Sequence, residues 1–409
     1  MEMKTYKVEE FCTEIIDCPH STPVWKDSGI RVIRNFNIKK GTLDFSDGYY
    51  VDEDTYLERT KRALPESDDL VISREAPMGE VCIIPKNLKC CLGQRLVLLK
   101  VNREKCFPKY LLYMMQSKYV QEQIGIINKT GSIVSNLNIP DLKALKIPYR
   151  PIESQQKIAA VLSALDDKIA LNRRIDAKLE AMAKRLYDYW FVQFDFPTED
   201  GKPYKSSGGK MVYNATLKRD IPAGWEVKRL GEVADYVAIS DSAENIRNYI
   251  STDNMLPNKA GITDTISKPA KGNFVRYEKL DILISNIRPY FKKIWFSNQI
   301  GNCSTDVLCI RIKRIQDSFF AYRCLWQDDF FDYVMQGAKG SKMPRGDKTR
   351  IMNFSFAYPV QKTDIITQFN SLFEPLQRLI WQNEKQIQKL TAMRDRLLPL
   401  LMNGQVEVE

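Results

Sequence analysis

Histidine is nearly missing from this 409-residue chain: His20 stands alone. One imidazole serves at most one site, and nothing pairs it with a nucleophile, which excludes His-activated nucleophilic catalysis. Nine cysteines are present, but none forms a C-x-x-C pair. Cys/His zinc sites need ligands at close, paired spacing, so no metal site is expected. An odd cysteine count without a framework points to reduced thiols, most of them small core residues, and to a cytoplasmic location. No apolar run approaches membrane-spanning length, and no secretory signal opens the sequence. Asn214-Ala215-Thr216 is therefore read as no glycosylation site.

Catalytic constellations are missing as well. The sequence has no Asn/Asp-Pro-Pro-aromatic tetrapeptide and no glycine-rich turn at dinucleotide-binding spacing. "SSGGK" (Ser206 to Lys210) lacks the first glycine and the final Ser/Thr of a phosphate-binding loop. Glu226-Val227-Lys228 resembles the tail of a nuclease motif whose partner aspartate is not in place. Asp166-Asp167 lies on a helix, where a surface charge is the simpler reading. What remains is a binding and organising protein with no cofactor of its own. Its 61 Lys and Arg against 51 Asp and Glu give +10, which favours a polyanionic partner.

The strongest positive signal is an internal repeat. Pro151 to Trp190 and Thr363 to Met402 each read as one long amphipathic helix, and they align without gaps over most of their length. Asn172 matches Asn383, Leu179 matches Leu390, Met182 matches Met393, Arg185 matches Arg396 and Leu186 matches Leu397, each pair 211 positions apart. Repeats of this size imply two copies of one unit about a pseudo-twofold axis. Ile158, Leu162, Leu165, Ile169, Asn172, Ile175, Leu179, Met182 and Leu186 step by four and three, the rhythm of a coiled-coil seam. About forty residues at 1.5 Å each give roughly 60 Å of helix. The two helices are expected to pack antiparallel, with Asn172 and Asn383 near each other or bonded to nearby backbone, fixing register. Pro375 predicts a kink or a late start in the second helix.

The segments between the helices repeat too. "DLVISREAP" (Asp69 to Pro77) and "DILISNIRP" (Asp281 to Pro289) read as matching strands, and Pro108 to Ile124 matches Asp317 to Met335 as helices. The expected layout is α+β: a mixed α/β domain at 1–150, a long helix at 151–195, a Gly/Pro/Ser-rich linker at 196–220, a second mixed α/β domain at 221–361 and a second long helix at 362–409. The domains have drifted while the helices kept register, so the helices meet identical demands and the domains different ones.

Candidate DNA-contacting residues fall on predicted loops. Lys339, Lys342, Arg345, Lys348 and Arg350 face one Asp347 in a stretch broken by Gly340, Pro344 and Gly346. Asn286, Arg288, Lys292 and Lys293, with Tyr290 and Phe291, follow a strand. Arg34, Arg74, Lys129, Thr130, Ser132, Ser135 and Asn138 are the candidates in the first domain. Arginine forks onto guanine, asparagine onto adenine, and lysine neutralises phosphate.

Taken in order and duplicated, several phrases resemble the specificity subunit of a type I restriction–modification system. They are "SREAPMGEV", "CLGQRLVLLK", "LISNIRPYFKKIWF", "MPRGDK", "IPAGWEVKRLGEV", "KIAAVLSALDDKIALNRRIDAKLEAMAKRLYDYWFVQFD" and "KLTAMRDRLLPLLMNGQVEV". The resemblance covers nearly the whole chain. It implies two target recognition domains, each reading half of a bipartite, gapped site in double-stranded DNA. It implies that the helices space them and dock two modification subunits, which hold S-adenosylmethionine and methylate adenine. Restriction subunits, with ATP and Mg, would complete the complex. The first copy departs from the second: Tyr6, Phe11 and Cys12 stand where the second has Trp225, Leu230 and Gly231, and "TGSIVSN" replaces the "MPRG" loop. An asymmetric site is therefore expected. Two other readings stay open: a detached recognition half of a fused restriction–methyltransferase enzyme, and a coiled-coil adaptor that binds only proteins.

Overall fold

The computed structural model describes residues 4–45, 48–130, 136–263, 268–360 and 363–408. The chain divides into two compact units: Met1–Ile169 with Leu390–Glu409, and Ala170–Lys389. The division thus falls inside both long helices, where the sequence pattern placed domain limits at the helix ends. The reason is burial. Ile158, Ala159, Leu162, Leu401 and Met402 belong to the core built around Leu70, Val97 and Tyr110. Ala183, Tyr187, Phe369 and Phe373 belong to the core built around Ile282, Ile310 and Phe320. A helix gains most of its stability from the apolar face it buries, so each helix half completes the unit it covers.

Each unit is built on a four-stranded antiparallel sheet. In the first the order is Cys12–Asp17, Leu96–Val101, Leu70–Ser73, Val81–Ile83. In the second it is Ala234–Tyr236, Val307–Ile312, Ile282–Ser285, Ile294–Phe296. Leu70–Ser73 and Ile282–Ser285 are buried at every position, as continuous apolar runs covered on both faces should be. A two-stranded ladder repeats as well, Thr5–Lys7 with Lys146–Pro148 and Glu226–Arg229 with Ser355–Tyr358. The copies diverge in their three-stranded sheets. Ile30–Ile33 pairs parallel with Cys90–Leu92 in the first unit, whereas Ser240–Ser242, Asn273–Tyr277 and Gly301–Cys303 are all antiparallel in the second.

The start of the repeat needs a three-residue correction. Short helices Val8–Phe11 and Leu230–Val233 are equivalent, each closed by a glutamate that accepts from the preceding backbone: Lys7 N to Glu10 at 2.7 Å and Arg229 N to Glu232 at 2.6 Å. Val8 N bonds Leu145 O at 2.9 Å, and Leu230 N bonds Phe354 O at 2.8 Å. Leu230 therefore matches Val8 and Val233 matches Phe11.

The stretch expected as a linker is folded. Phe194 and Phe196 are buried beside Trp225, Phe196 stacks on Tyr204 at 4.7 Å, and Met211–Asn214 pairs with Arg219–Pro222 as a hairpin. Asp195 accepts from Ser206 N and Ser206 Oγ at 2.7 and 2.6 Å. Polar, glycine-rich composition hid three aromatics that anchor the segment to the core. Eight of the nine cysteines are buried, Cys12 being the half-buried exception.

The first long helix spans Ile152–Tyr187 and ends in one π turn, Asp188–Val192, that delivers Trp190 and Phe191 to the core. The second spans Thr363–Met402 and runs through Pro375 as one helix, so it does not start late there. Within the second unit the helical stretches run antiparallel. Asn172 Nδ2 donates to Gln386 Oε1 and Asn383 Nδ2 donates to Asp176 Oδ1, both at 2.7 Å. The two asparagines therefore bond neither each other nor backbone; each reaches a side chain of the opposite helix. The buried positions after Asn172 are Leu179, Ala183 and Tyr187, while Ile175 and Met182 face outward. A straight helix drifts against a strict seven-residue repeat, and the aromatic core at Tyr187 captures the drifted face.

In each unit a polar contact fastens a shorter helix to the long helical stretch. The sixth residue of helix Pro108–Gln116 is Tyr113, which donates to Asp166 at 2.7 Å. Asp166 also accepts from Arg394 at 2.9 Å, so it is an engaged anchor and not the surface charge expected. The sixth residue of helix Ser318–Trp326 is Arg323, fully buried, which donates to Glu180 at 2.6 Å.

Candidate nucleic-acid interface

In the second unit the fold brings together the two clusters singled out in its sequence. Strand Ile282–Ser285 ends in a turn whose Pro289–Phe291 forms a single 3-10 turn. The loop after helix Asp328–Gln336 folds against it. Arg288 N donates to Pro344 O at 2.7 Å, Gly346 N donates to Asn286 O at 3.2 Å, and Ile287 bridges Arg345. Arg345 and Lys339 exchange two backbone hydrogen bonds, 3.0 and 2.9 Å, which pin the loop into a narrow arch.

The charges on this surface divide into engaged and available groups. Lys292 and Lys259 share Asp328 at 2.7 and 2.8 Å, and those two bonds hold its carboxyl down at about 2. Lys293 donates to Thr252 O, and burial lowers its ammonium pKa. Lys292 and Lys293 thus brace the turn. Arg345 keeps one contact to Asp306 at 3.1 Å with 58% of its side chain exposed. Lys342 and Lys348 are exposed and form no ion pair among the described residues. Arg350 is turned inward, bonding Tyr333 O at 3.0 Å and Gln336 at 3.2 Å. At the base of the turn, Asn286 Oδ1 and Arg288 Nε are buried without a hydrogen-bond partner among the described residues. Buried polar atoms are nearly always paired, so two orphans side by side set this turn apart.

The first unit uses its candidates differently. Arg74 is internal: Nη1 meets Asp17 at 2.7 Å and Nε meets Leu137 O at 3.1 Å. Asn138 caps helix Ile139–Ala144 by accepting from Asp141 N at 2.8 Å. Neither is free to read a base. Arg34 sits among Phe36 and Tyr49, each 4.1 Å from its guanidinium carbon, with Trp25 at 5.2 Å. A guanidinium stacked on its faces keeps its edge donors for a partner. Arg31 makes a similar contact with Phe45 at 4.7 Å, which the sequence reading missed; an arginine spaced among aromatics was its only signal. The side chains of Lys129 and Thr130, and all of Ser132 and Ser135, lie outside the described residues.

Residues 2–181 match the family model described as "Type I restriction modification DNA specificity domain". Beyond that stretch, the chain is similar to specificity subunits over most of its length. Among the curated specificity subunits similar to it, the type I restriction enzyme MjaIX specificity subunit of Methanocaldococcus jannaschii is 28% identical over 88% of this chain and 82% of its own length. The HindI specificity subunit of Haemophilus influenzae is 20% identical over 85% and 88%. Among solved structures, the S subunit of the type I restriction–modification system from M. genitalium superposes with a TM-score of 0.58 at 15% identity, over 98% of this chain and 96% of that one. That likeness concerns the fold. Specificity subunits of this family are DNA-binding components of restriction systems, and no helix among the described residues of this one is long and apolar enough to cross a membrane.

Proposed function

We propose that this chain is the non-catalytic, DNA-reading subunit of a type I restriction–modification complex. Each unit reads one half of a bipartite, asymmetric, gapped site in double-stranded DNA. The observation that carries the reading is the surface made by residues 286–293 and 338–348. Exposed Lys342, Arg345 and Lys348 there have the chemistry for phosphates and base edges. The divergence of the three-stranded sheets and loops between the two copies supports different half-sites.

The long helices, in this reading, form a coiled-coil spacer that sets the gap and docks two modification subunits. Met182 and Met393 are equivalent by the repeat, and both are about half exposed, at 50% and 52%. Equivalent apolar positions left open suit two copies of one partner. S-adenosylmethionine would sit on those partners, and ATP and Mg on the restriction subunits. The pairs Asn172–Gln386 and Asn383–Asp176 would hold register.

The test is a genome-wide map of methylated adenines in the native host with and without this gene. Loss of one two-part, gapped motif is the expected result. Methyl transfer by the purified chain alone, given DNA and S-adenosylmethionine, would refute the non-catalytic role.

A further inference from the structure

The turn at 288–292 displays an aromatic pair that the reading of phosphates and base edges leaves unused. Tyr290 and Phe291 are 46% and 37% exposed, with ring centroids 4.6 Å apart. Arg288 and Lys292 flank them in left-handed backbone, φ 50° and 51°. Neither residue is glycine, so the surroundings must impose this conformation, and such strain gathers at functional positions. The imposing bonds are present. Arg288 N meets Pro344 O at 2.7 Å, Asn258 N meets Phe291 O at 2.8 Å, and Lys259 N meets Lys292 O at 2.9 Å. Pro289 is buried beneath. The result is a rigid mount holding two large apolar rings in water.

The border of this mount is cationic and partly apolar. Met343 is 48% exposed on the adjoining arch, next to Lys342 and two residues from Arg345. Apolar rings ringed by ammonium and guanidinium groups complement a surface that is apolar inside and anionic at its edge, and a base-pair stack between phosphate rows is such a surface. Proteins use this combination to wedge an apolar side chain against a base step, and sequence then matters through the ease of unstacking. The first unit has no counterpart. In its equivalent turn, 212 positions earlier, stand Met78, packed on its core, and Gly79.

We infer that Tyr290 and Phe291 form a wedge that unstacks one base step in the half-site read by the second unit, and that the first unit reads its half-site without one. This inference rests on the DNA-reading function proposed above. It makes part of this chain's specificity indirect, favouring a flexible pyrimidine–purine step at a position that no hydrogen bond reads.

The experiment uses the chain in complex with its modification subunits on a duplex carrying its own motif, with 2-aminopurine placed at successive positions of both half-sites. Wild type should raise the fluorescence several-fold at one step of the second half-site. Y290S/F291S should abolish that rise and weaken specific binding about 10-fold, with far-ultraviolet circular dichroism unchanged. Y290L/F291L, which keeps the turn's apolar surface, should retain part of the rise. K342A should weaken binding yet leave the rise intact. At that step, away from the adenines that the modification subunits themselves extrude, a rise that survives Y290S/F291S belongs to another subunit and overturns the inference. So does a variant that loses its modification subunits instead, because the rings would then be a protein contact. If the wild-type complex shows no salt-dependent DNA binding at all, the DNA-reading function itself fails, a result distinct from binding without a wedge.

Discussion

Removing the carboxylate of Glu180 should destabilise the second unit more than any other single surface substitution on its helices. Arg323 is fully buried, and Glu180 is its only ion-pair partner among the described residues, at 2.6 Å. Two of its nitrogens, Nε and Nη2, have no partner there, and it lies over the rings of Trp326 at 4.1 Å, Phe373 at 5.4 Å and Tyr322 at 5.9 Å. Breaking a buried pair from one side leaves an uncompensated charge and costs about 3–5 kcal/mol. Glu180 is 21% exposed, so water partly replaces it, and the lower end, about 3 kcal/mol, applies. For a unit of this size that is a drop in Tm of about 6–12 °C for Glu180→Gln. Arg323→Met removes the charge and keeps the packing, so it should shift stability by no more than about 1 kcal/mol. In that background Glu180→Gln should cost under about 0.5 kcal/mol, because Glu180 then has no buried charge to serve. Urea unfolding followed by tryptophan fluorescence is the assay. Five of the six tryptophans, all but Trp25, lie in 170–389, so the signal reports the second unit. Simple additivity of the two substitutions, or a Tm loss under about 2 °C for Glu180→Gln, would refute the argument.

Other perturbations separate roles that look alike in sequence. Asn383→Leu strands the Asp176 carboxylate, which burial already pushes up to about 6. A carboxyl raised in the fold weakens the fold as pH rises from its unfolded value to about 6. The variant should therefore lose about 1–3 kcal/mol at pH 8 and much less at pH 5, by urea melts at both. Asn172→Leu leaves no charge behind and should be close to neutral at either pH. Arg74→Ala should lower the Tm of the first unit with little change in the salt dependence of DNA binding. Lys342→Ala should do the reverse, reducing the salt slope by about one. Met182→Glu and Met393→Glu should each remove one modification subunit from the complex, read as mass by sedimentation; loss of both copies from either change would refute equivalent docking.

What the sequence disclosed, and what it hid, follows the range of the forces involved. Helical periodicity is local, so both long helices were legible nearly end to end. The repeat was legible because Asn172 and Asn383 are matched in kind as well as place. The meeting of 286–293 with 338–348 could be suspected only from shared composition, since the bonds that join them cross more than fifty residues. Side-chain partnership was not legible. Arg74 and Arg345 look alike in sequence and each meets an aspartate, but the first is mostly buried against Asp17 while more than half of the second stays in solvent. The aromatics of 194–204 were outweighed by the glycines around them, although Phe194 and Phe196 are the residues that decide where the segment goes.

The first unit joins Leu390–Glu409 to Met1–Ile169, across the 220 residues of the second. Leu401 and Met402 are buried in the same core as Val8 and Phe11, and Arg394 bonds Asp166. During synthesis, then, Met1–Ile169 cannot complete this core until Leu401 and Met402 have been made. At about 5–20 residues per second, the intervening 170–389 take roughly 10–45 s to make. For that interval the nascent first unit lacks the part of its apolar core that Leu401 and Met402 supply, a window in which a chaperone or a partner subunit can act.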